Sequence, residues 1–265
     1  MSRSFVLDTT YVSVYGALVN EFSRCESWSE AVDSSLGYSD DELMQALVSQ
    51  HRHNPPWAKE DSSQAYSDRA IEFLCALQAC VIAKWPRTPK KIRIIDYGGG
   101  NGYFAVWAAR FMPNLDFEWM VLESAEVCDI YGREPHPAQI LWLPSCELGR
   151  LDGDVFVASS SLQYIDNPAG VVEAASRSAP RLILMRLPVR LGLTADIPTV
   201  QRPGGEGVYK DANGSWPCWW FASHELDKML DAYTTKVYRW KSTGEVKTFE
   251  NVQVPMEGRL LRSKL

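Results

Sequence analysis

An acid and alternating glycines stand directly behind an apolar run near the middle of the chain. The stretch IIDYGGGNGYF places four such residues in regular spacing: Asp96, Gly98, Gly100 and Gly102. Glycine has no Cβ atom and adopts left-handed backbone conformations, so a turn of this kind lets the backbone approach a ligand closely. In an open α/β sheet, ligands lie beyond the carboxyl ends of the strands. The pattern therefore indicates a cofactor site, of a kind shared by several cofactor classes.

One candidate cofactor is NAD. The segment GNGYFA satisfies the dinucleotide pattern G-x-G-x-x-A, and Glu123 lies about 20 residues downstream, where an acid binds a ribose. In that pattern, however, the first glycine follows the strand almost at once. Here Asp96, Gly98 and Gly99 intervene between the strand IRII and Gly100. The register disfavours NAD.

The register Asp-x-Gly-x-Gly-x-Gly resembles that of the class I S-adenosylmethionine (AdoMet) dependent methyltransferases. The resemblance covers Lys91 to Val189 and implies that Glu123, at the end of FEWMVLE, accepts hydrogen bonds from both ribose hydroxyls of AdoMet. DVFVASSSLQYIDNP then corresponds to the fourth strand and its loop, which face the methyl group. More weakly, WSEAVDSSLGY and PCWWFA resemble a family of bacterial methyltransferases of undefined substrate. The implied cofactor contacts are Asp96, Gly98, Gly100, Gly102, Tyr103, Glu123 and Ser160.

Three further residues are candidates for the catalytic chemistry. Methyl transfer is an in-line displacement, so the protein must chiefly align the acceptor, exclude water and, for a hydroxyl acceptor, take up a proton. Tyr164, in the loop after the fourth strand, is placed to line the reaction site or to pack under the next helix. His224, at a predicted helix start, is either a general base or a surface residue. Arg186, at the end of the strand LILM, either binds an anionic group or pairs with a helix acid.

The elements that position these residues alternate from Lys91 onward. Apolar strand runs and helical segments follow one another, which predicts an α/β fold with a parallel sheet. The methyltransferase resemblance implies that this sheet is Rossmann-like, mostly parallel and seven-stranded, with an antiparallel last hairpin. Residues 1–90 are expected to form an N-terminal helical cap and residues 91–265 the methyltransferase domain. An aromatic-rich insertion at about 190–223, after the fifth strand, is expected to be a substrate lid. Its tryptophans either line the substrate or simply pack the lid onto the core.

A second motif, HNPPW at His53 to Trp57, matches a signature of amino-group methyltransferases. That signature requires an apolar strand before the asparagine, whereas ALVSQHRH precedes it here and is predicted to be the end of a helix. Two prolines after a helix are an ordinary stop signal. His51 and His53 lack a third ligand nearby, and the scattered cysteines have no zinc spacing. We expect no metal.

Composition limits the function classes. The 265 residues carry a net charge of −6, without the basic footprint that nucleic-acid binding requires. No stretch is long and apolar enough to span a membrane, and the N-terminus does not resemble a signal peptide, so a cytoplasmic protein is expected.

The sequence thus predicts an AdoMet-dependent methyltransferase that acts on a small molecule or a glycan precursor, on oxygen. The alternatives are an NAD-dependent oxidoreductase and a non-catalytic cofactor-binding or assembly protein with the same fold. The acceptor atom, the general base, catalytic competence and the oligomeric state are left open.

Overall fold

The computed structural model describes residues 21–37, 68–84, 91–133, 136, 138–202 and 214–265. Within these residues the chain forms two sheets and the helices packed against them. The helices are α1 (Trp28–Asp33), α2 (Asp68–Lys84), α3 (Tyr103–Phe111), α4 (Ala125–Tyr131), α5 (Pro168–Ser178) and α6 (Ser223–Tyr233). Short 3-10 helices cover Ser145–Arg150 and Leu162–Tyr164.

The central sheet has seven strands in the order β10-β11-β6-β5-β2-β3-β4. Its members are β2 (Ile92–Tyr97), β3 (Phe117–Glu123), β4 (Ile140–Pro144), β5 (Val155–Ser159), β6 (Arg181–Leu187), β10 (Thr234–Phe249) and β11 (Val252–Ser263). β2 to β6 are parallel, and β11 runs antiparallel to both of its neighbours. The predicted fold class, with its antiparallel last hairpin, is confirmed.

Alternate residues of the central strands face two separate hydrophobic cores, because successive side chains of a strand point to opposite faces. Ile95 belongs to the core that includes Val172 of α5. Ile94 belongs to the opposite core with Phe73 of α2 and Phe104 of α3, whose rings stack at 4.3 Å. Helices therefore cover both faces of the sheet, as a parallel sheet requires. This arrangement brings the carboxyl ends of β2, β3, β5 and β6 to one edge.

A smaller sheet, in the order β1-β8-β9-β7, was not predicted. It combines β1 (Glu21–Arg24) with β7 (Val189–Arg190), β8 (Ile197–Arg202) and β9 (Trp216–Ala222). β8 pairs antiparallel with both β1 and β9. The expectation of an N-terminal helical cap is therefore wrong for residues 21–24, because this segment forms its backbone hydrogen bonds with β8, a strand of the distant insertion. The insertion itself is built on strands where only an aromatic cluster had been recognised.

A later part of the predicted N-terminal cap is helical, as expected. Helix α2 buries Phe73, Leu77 and Cys80 in the same core as β2, so it packs directly on the central sheet as its apolar pattern predicts. The division of the chain at residue 90 stays a prediction. The HNPPW motif, His51, His53 and the predicted helix that precedes them lie outside the described residues.

Candidate active site

Three glycines of the turn after β2 have left-handed backbone conformations, but the space available for a side chain differs from one to the next. Gly98, Gly100 and Gly102 have φ values of 68°, 56° and 72°. A Cβ atom at Gly98 would lie 2.5 Å from the Ser161 Cβ, and one at Gly102 would lie 2.2 Å from the Ile140 Cδ1. At Gly100, by contrast, a Cβ atom would meet nothing within 4 Å. Packing therefore explains the glycines at 98 and 102, whereas Gly100 faces open space.

Glu123 lies at the carboxyl end of β3, directly beside this turn. Its Oε1 accepts a hydrogen bond from the Gly100 N–H at 2.9 Å, and its Oε2 accepts one from the Ser124 N–H at 3.3 Å. Burial raises the pKa of the carboxyl group, and these two hydrogen bonds act against that rise because they favour the charged form. Each carboxylate oxygen retains acceptor capacity for a further donor. Glu123 can therefore hold a ligand with two hydroxyls.

Asp96, the acid at the end of β2, is buried beneath the glycine turn. It is 1% exposed, and its Oδ2 accepts a hydrogen bond from the Trp119 indole N–H at 3.1 Å. A Cβ atom at Gly99 would lie 2.7 Å from the Asp96 carboxylate, so the turn closes over this side chain. Burial is the main cause that raises the Asp96 pKa to about 7, and the Glu123 charge adds to it. Asp96 thus supports the turn from below.

The ends of β5 and β6 carry two strained residues that one glutamine connects. Ser160 and Arg186 both have φ of 57°, a conformation that costs a non-glycine residue roughly 1–3 kcal/mol. The Gln163 Nε2 donates to the Ser160 Oγ at 2.8 Å and to the Arg186 carbonyl at 3.3 Å. Gln163 itself is fully buried, and its Oε1 has no hydrogen-bond partner, as is also true of the Ser161 Oγ. Strain and unsatisfied polar atoms of this kind are typical of binding sites.

Tyr164 joins this edge to the small sheet. Its hydroxyl donates to the Gln201 Oε1 of β8 at 2.9 Å and lies 3.5 Å from the Lys247 Nζ of β10. The Tyr164 residue is half-buried, and its role in the reaction stays a prediction. Neither Gln201 nor Lys247 was expected from sequence, because each approaches Tyr164 only through tertiary packing.

The structure separates His224 from the other candidates. Its side chain is 57% exposed at the start of α6, and its Nε2 lies 3.4 Å from the neighbouring Glu225. This position is that of the surface residue that the sequence left as the alternative. A different histidine supports the turn: the His136 Nε2 donates to the Asn101 carbonyl at 3.0 Å, and its Nδ1 lies 3.0 Å from the carbonyl oxygen and 3.1 Å from the backbone nitrogen of Ala138. No sequence signal marked His136.

Tyr103 begins α3 and faces other aromatics. Its ring lies 5.6 Å from that of Phe104 and 5.7 Å from that of Trp107, and the Arg69 guanidinium lies 5.9 Å from its centre. The residue is half-buried at the helix start next to the glycine turn. This places Tyr103 beside the candidate site, while its role as a cofactor contact stays a prediction.

The aromatic residues of the insertion mostly pack inside the protein. Trp220 is fully buried and stacks on Phe249 at 4.8 Å. Trp219 stacks on Trp28 of α1 at 4.8 Å, and its indole N–H donates to the Ile165 carbonyl at 3.0 Å. The insertion is thereby fixed to the loop that carries Tyr164. For Trp220 this favours the packing interpretation, and the lid function stays a prediction.

Within the described part of the chain, no group of three or more metal-ligating side chains is present. No described helix is long and apolar enough to cross a membrane.

Comparison with known proteins gives a match in structure and not in sequence. No protein-family model and no curated protein sequence matches the chain significantly. The N-terminal domain of EvdMO1, solved with S-adenosylhomocysteine (SAH) bound, superposes with a TM-score of 0.50 at 17% identity, over 83% of this chain and 97% of that domain. The chain has a Rossmann-like, class I methyltransferase fold.

Two further solved structures resemble the chain with lower TM-scores. Magnesium protoporphyrin IX methyltransferase (ChlM) from Synechocystis PCC 6803, with bound SAH, gives a TM-score of 0.47 at 13% identity, over 85% of this chain and 95% of ChlM. LepI in complex with SAM gives a TM-score of 0.49 at 11% sequence identity, over 77% of this chain. The chain spans only 50% of the length of LepI. At such identities the likeness extends to the fold alone.

Proposed function

We propose that this protein binds AdoMet at the glycine turn and transfers its methyl group to a small molecule or a glycan precursor, on oxygen. One observation carries the proposal: the Glu123 carboxylate accepts the Gly100 N–H at 2.9 Å, beside the one position of the turn where a Cβ atom would meet open space. A backbone that a ligand can approach thus lies beside a carboxylate that can accept two hydroxyls. The EvdMO1 domain, which has the same fold, was solved with SAH bound.

The residues of the site fit this cofactor. Glu123 would accept the ribose hydroxyls, and Gly100 would leave room for the cofactor to lie against the backbone. Ser161 and Gln163, whose buried oxygens lack partners, lie next to Gly98 and at the end of β5. When bound, AdoMet supplies an electrophilic methyl group, and the chain must then align an acceptor and exclude water.

The acceptor would lie at the edge that Tyr164 occupies. Tyr164 follows β5, and its hydroxyl already takes part in hydrogen bonds with Gln201 and Lys247. A phenol held in this way can orient an acceptor hydroxyl through hydrogen bonding. Trp219, which stacks on Trp28, donates its indole N–H to the Ile165 carbonyl and so holds the same loop from the insertion side.

The test is a calorimetric titration of the purified protein with AdoMet, SAH and NAD in parallel. We expect AdoMet and SAH to bind and NAD not to bind, because the glycine register differs from that of dinucleotide sites. Binding of NAD alone would establish the oxidoreductase alternative instead. If AdoMet and SAH bind, incubation of acceptor libraries with radiolabelled AdoMet then identifies the methylated compound. Binding without transfer to any acceptor would favour the non-catalytic alternative.

A further inference from the structure

A single lysine ammonium is buried where β10 meets the small sheet. Lys247 is 6% exposed, and its Nζ donates to the Tyr164 hydroxyl oxygen at 3.5 Å. The ring centres of Phe22 and Tyr164 lie 5.6 Å and 6.0 Å from the same nitrogen. Aromatic faces attract a cation, but they do not accept its hydrogen bonds as an oxygen does. The ammonium therefore lies in a mostly aromatic environment.

This positive charge has no counter-charge among the residues that the structure describes. No described carboxylate lies within 4 Å of the Lys247 Nζ. Glu250, three residues further along the chain, is held by Arg24 at 3.4 Å and by Arg190 at 2.7 Å. An ammonium has three N–H donors, of which Tyr164 takes one. Burial of an unpaired charge costs free energy, so an anion that pairs with this ammonium would bind with a strongly favourable free energy.

A second unused donor belongs to the same cluster. Gln201 is 5% exposed, and its Oε1 accepts from the Tyr164 hydroxyl at 2.9 Å. That bond fixes the amide so that its Nε2 is the donor end. Within the described residues, this Nε2 makes no hydrogen bond. Two nitrogens with unused N–H groups thus belong to side chains that contact one tyrosine hydroxyl.

We propose that Lys247 and Gln201, organised by the Tyr164 hydroxyl, bind a carboxylate group of the methyl acceptor. This inference rests on the proposed function, since it names the substrate class of that site. One ammonium balances the single charge of a carboxylate, whereas phosphate carries close to two negative charges at neutral pH. The two oxygens of a carboxylate match the two donor nitrogens. The rings of Phe22 and Tyr164 favour a flat, conjugated acid.

The subsite lies next to the candidate cofactor site. Tyr164 ends the 3-10 turn that directly follows Ser161, and Ser161 is the residue that a Cβ atom at Gly98 would touch at 2.5 Å. A carboxylate bound by Lys247 would therefore hold the rest of the acceptor near the glycine turn. Lys247 is a binding residue in this scheme and takes no part in the transfer itself.

The experiment uses the full chain saturated with SAH and follows ligand binding by NMR titration. The probes are benzoate, its neutral counterpart benzamide, and inorganic phosphate. We expect benzoate to bind more tightly than benzamide or phosphate. Lys247→Met should weaken benzoate roughly tenfold or more, because a hydrogen bond to a charged group is lost, and should leave benzamide unchanged. Lys236→Met, an exposed lysine of the same strand, is the matched control and should bind benzoate as the wild type does.

The results separate this inference from the proposed function. Equal benzoate affinity in the wild type and Lys247→Met, tighter binding of phosphate than benzoate, or no benzoate binding would overturn the carboxylate subsite. SAH titration of the same samples tests the cofactor site independently, so a protein that binds SAH but not benzoate retains the proposed function. If Lys247→Met does not fold by circular dichroism, Tyr164→Phe replaces it. A subsite that needs the tyrosine hydroxyl then predicts weaker benzoate binding, and unchanged affinity would refute it.

Discussion

The buried Asp96 carboxyl makes stability depend on pH in a direction opposite to that of most carboxylates. Burial raises its pKa from 3.8 to about 7, so the folded state holds a proton that the unfolded chain has already released. Between these two values the folded state binds more protons, and the free energy of unfolding falls as pH rises. A shift of about three units at ~1.4 kcal/mol each corresponds to about 4 kcal/mol, lost in full above neutral pH.

Asp96→Asn removes this dependence, because asparagine is always neutral and its Oδ1 can still accept the Trp119 indole N–H. Urea denaturation of wild type and variant between pH 5 and 8 measures the effect at roughly unit steps. We expect the variant to gain about 1.4 kcal/mol relative to wild type for each pH unit up to about pH 7, and then a constant difference. Glu123 is the same in both proteins, so the difference largely isolates Asp96.

Asp152→Asn is the matched control, since the Asp152 side chain is 80% exposed. Its difference from wild type should not change over this pH range. Parallel pH curves for wild type and Asp96→Asn would refute the reasoning, because they would mean that Asp96 ionises in the folded state as readily as in the unfolded chain.

Three further predictions concern the site. Gly100→Asp should abolish AdoMet binding in calorimetry, whereas Gly192→Asp, which also has positive φ and open space, should cost about 1–2 kcal/mol of stability yet bind AdoMet normally. Glu123→Ala should weaken AdoMet and SAH alike, roughly tenfold or more, with exposed Glu126→Ala as the unaffected control. A protonated carboxyl accepts fewer hydrogen bonds, so the AdoMet affinity of the wild type should fall on acidification. Because the Glu123 pKa is raised, this fall should begin at a higher pH than for an ordinary glutamate. Glu123→Ala should lack this pH dependence of AdoMet affinity. Tyr164→Phe should lower turnover about tenfold with little change in AdoMet affinity; equal turnover would exclude its hydroxyl from the reaction.

Local patterns predict the central sheet and its glycine turn well. The alternation of apolar strands with helices is confirmed from β2 to β6. The spacing of Asp96, Gly98, Gly100 and Gly102 places the turn at the end of β2, where three positive φ values occur. These features depend on residues that are close in sequence, so local sequence patterns are sufficient to predict them.

Tertiary packing decides which residues of the turn have open space beside them. The sequence pattern does not distinguish Gly98, Gly100 and Gly102. In the structure, Ser161 fills the space beside Gly98, and Ile140 fills the space beside Gly102. Asp96 is enclosed beneath the turn, and its role as a cofactor contact stays a prediction. Each difference arises from a side chain that lies on another strand or loop.

The sequence by itself determined the order of strands and helices from β2 to β6, the glycine turn and the acid at the end of β3, because short-range periodicity and backbone preference specify them. Only the tertiary structure decided that residues 21–24 complete a sheet with β8, that Gln163 bridges the strained Ser160 and Arg186, and that Lys247 lies buried against Tyr164. The partners in these contacts are up to 181 positions apart, as in the pairing of Glu21 with Arg202. Such contacts form only when hydrophobic burial has closed the intervening chain, so no local pattern announces them.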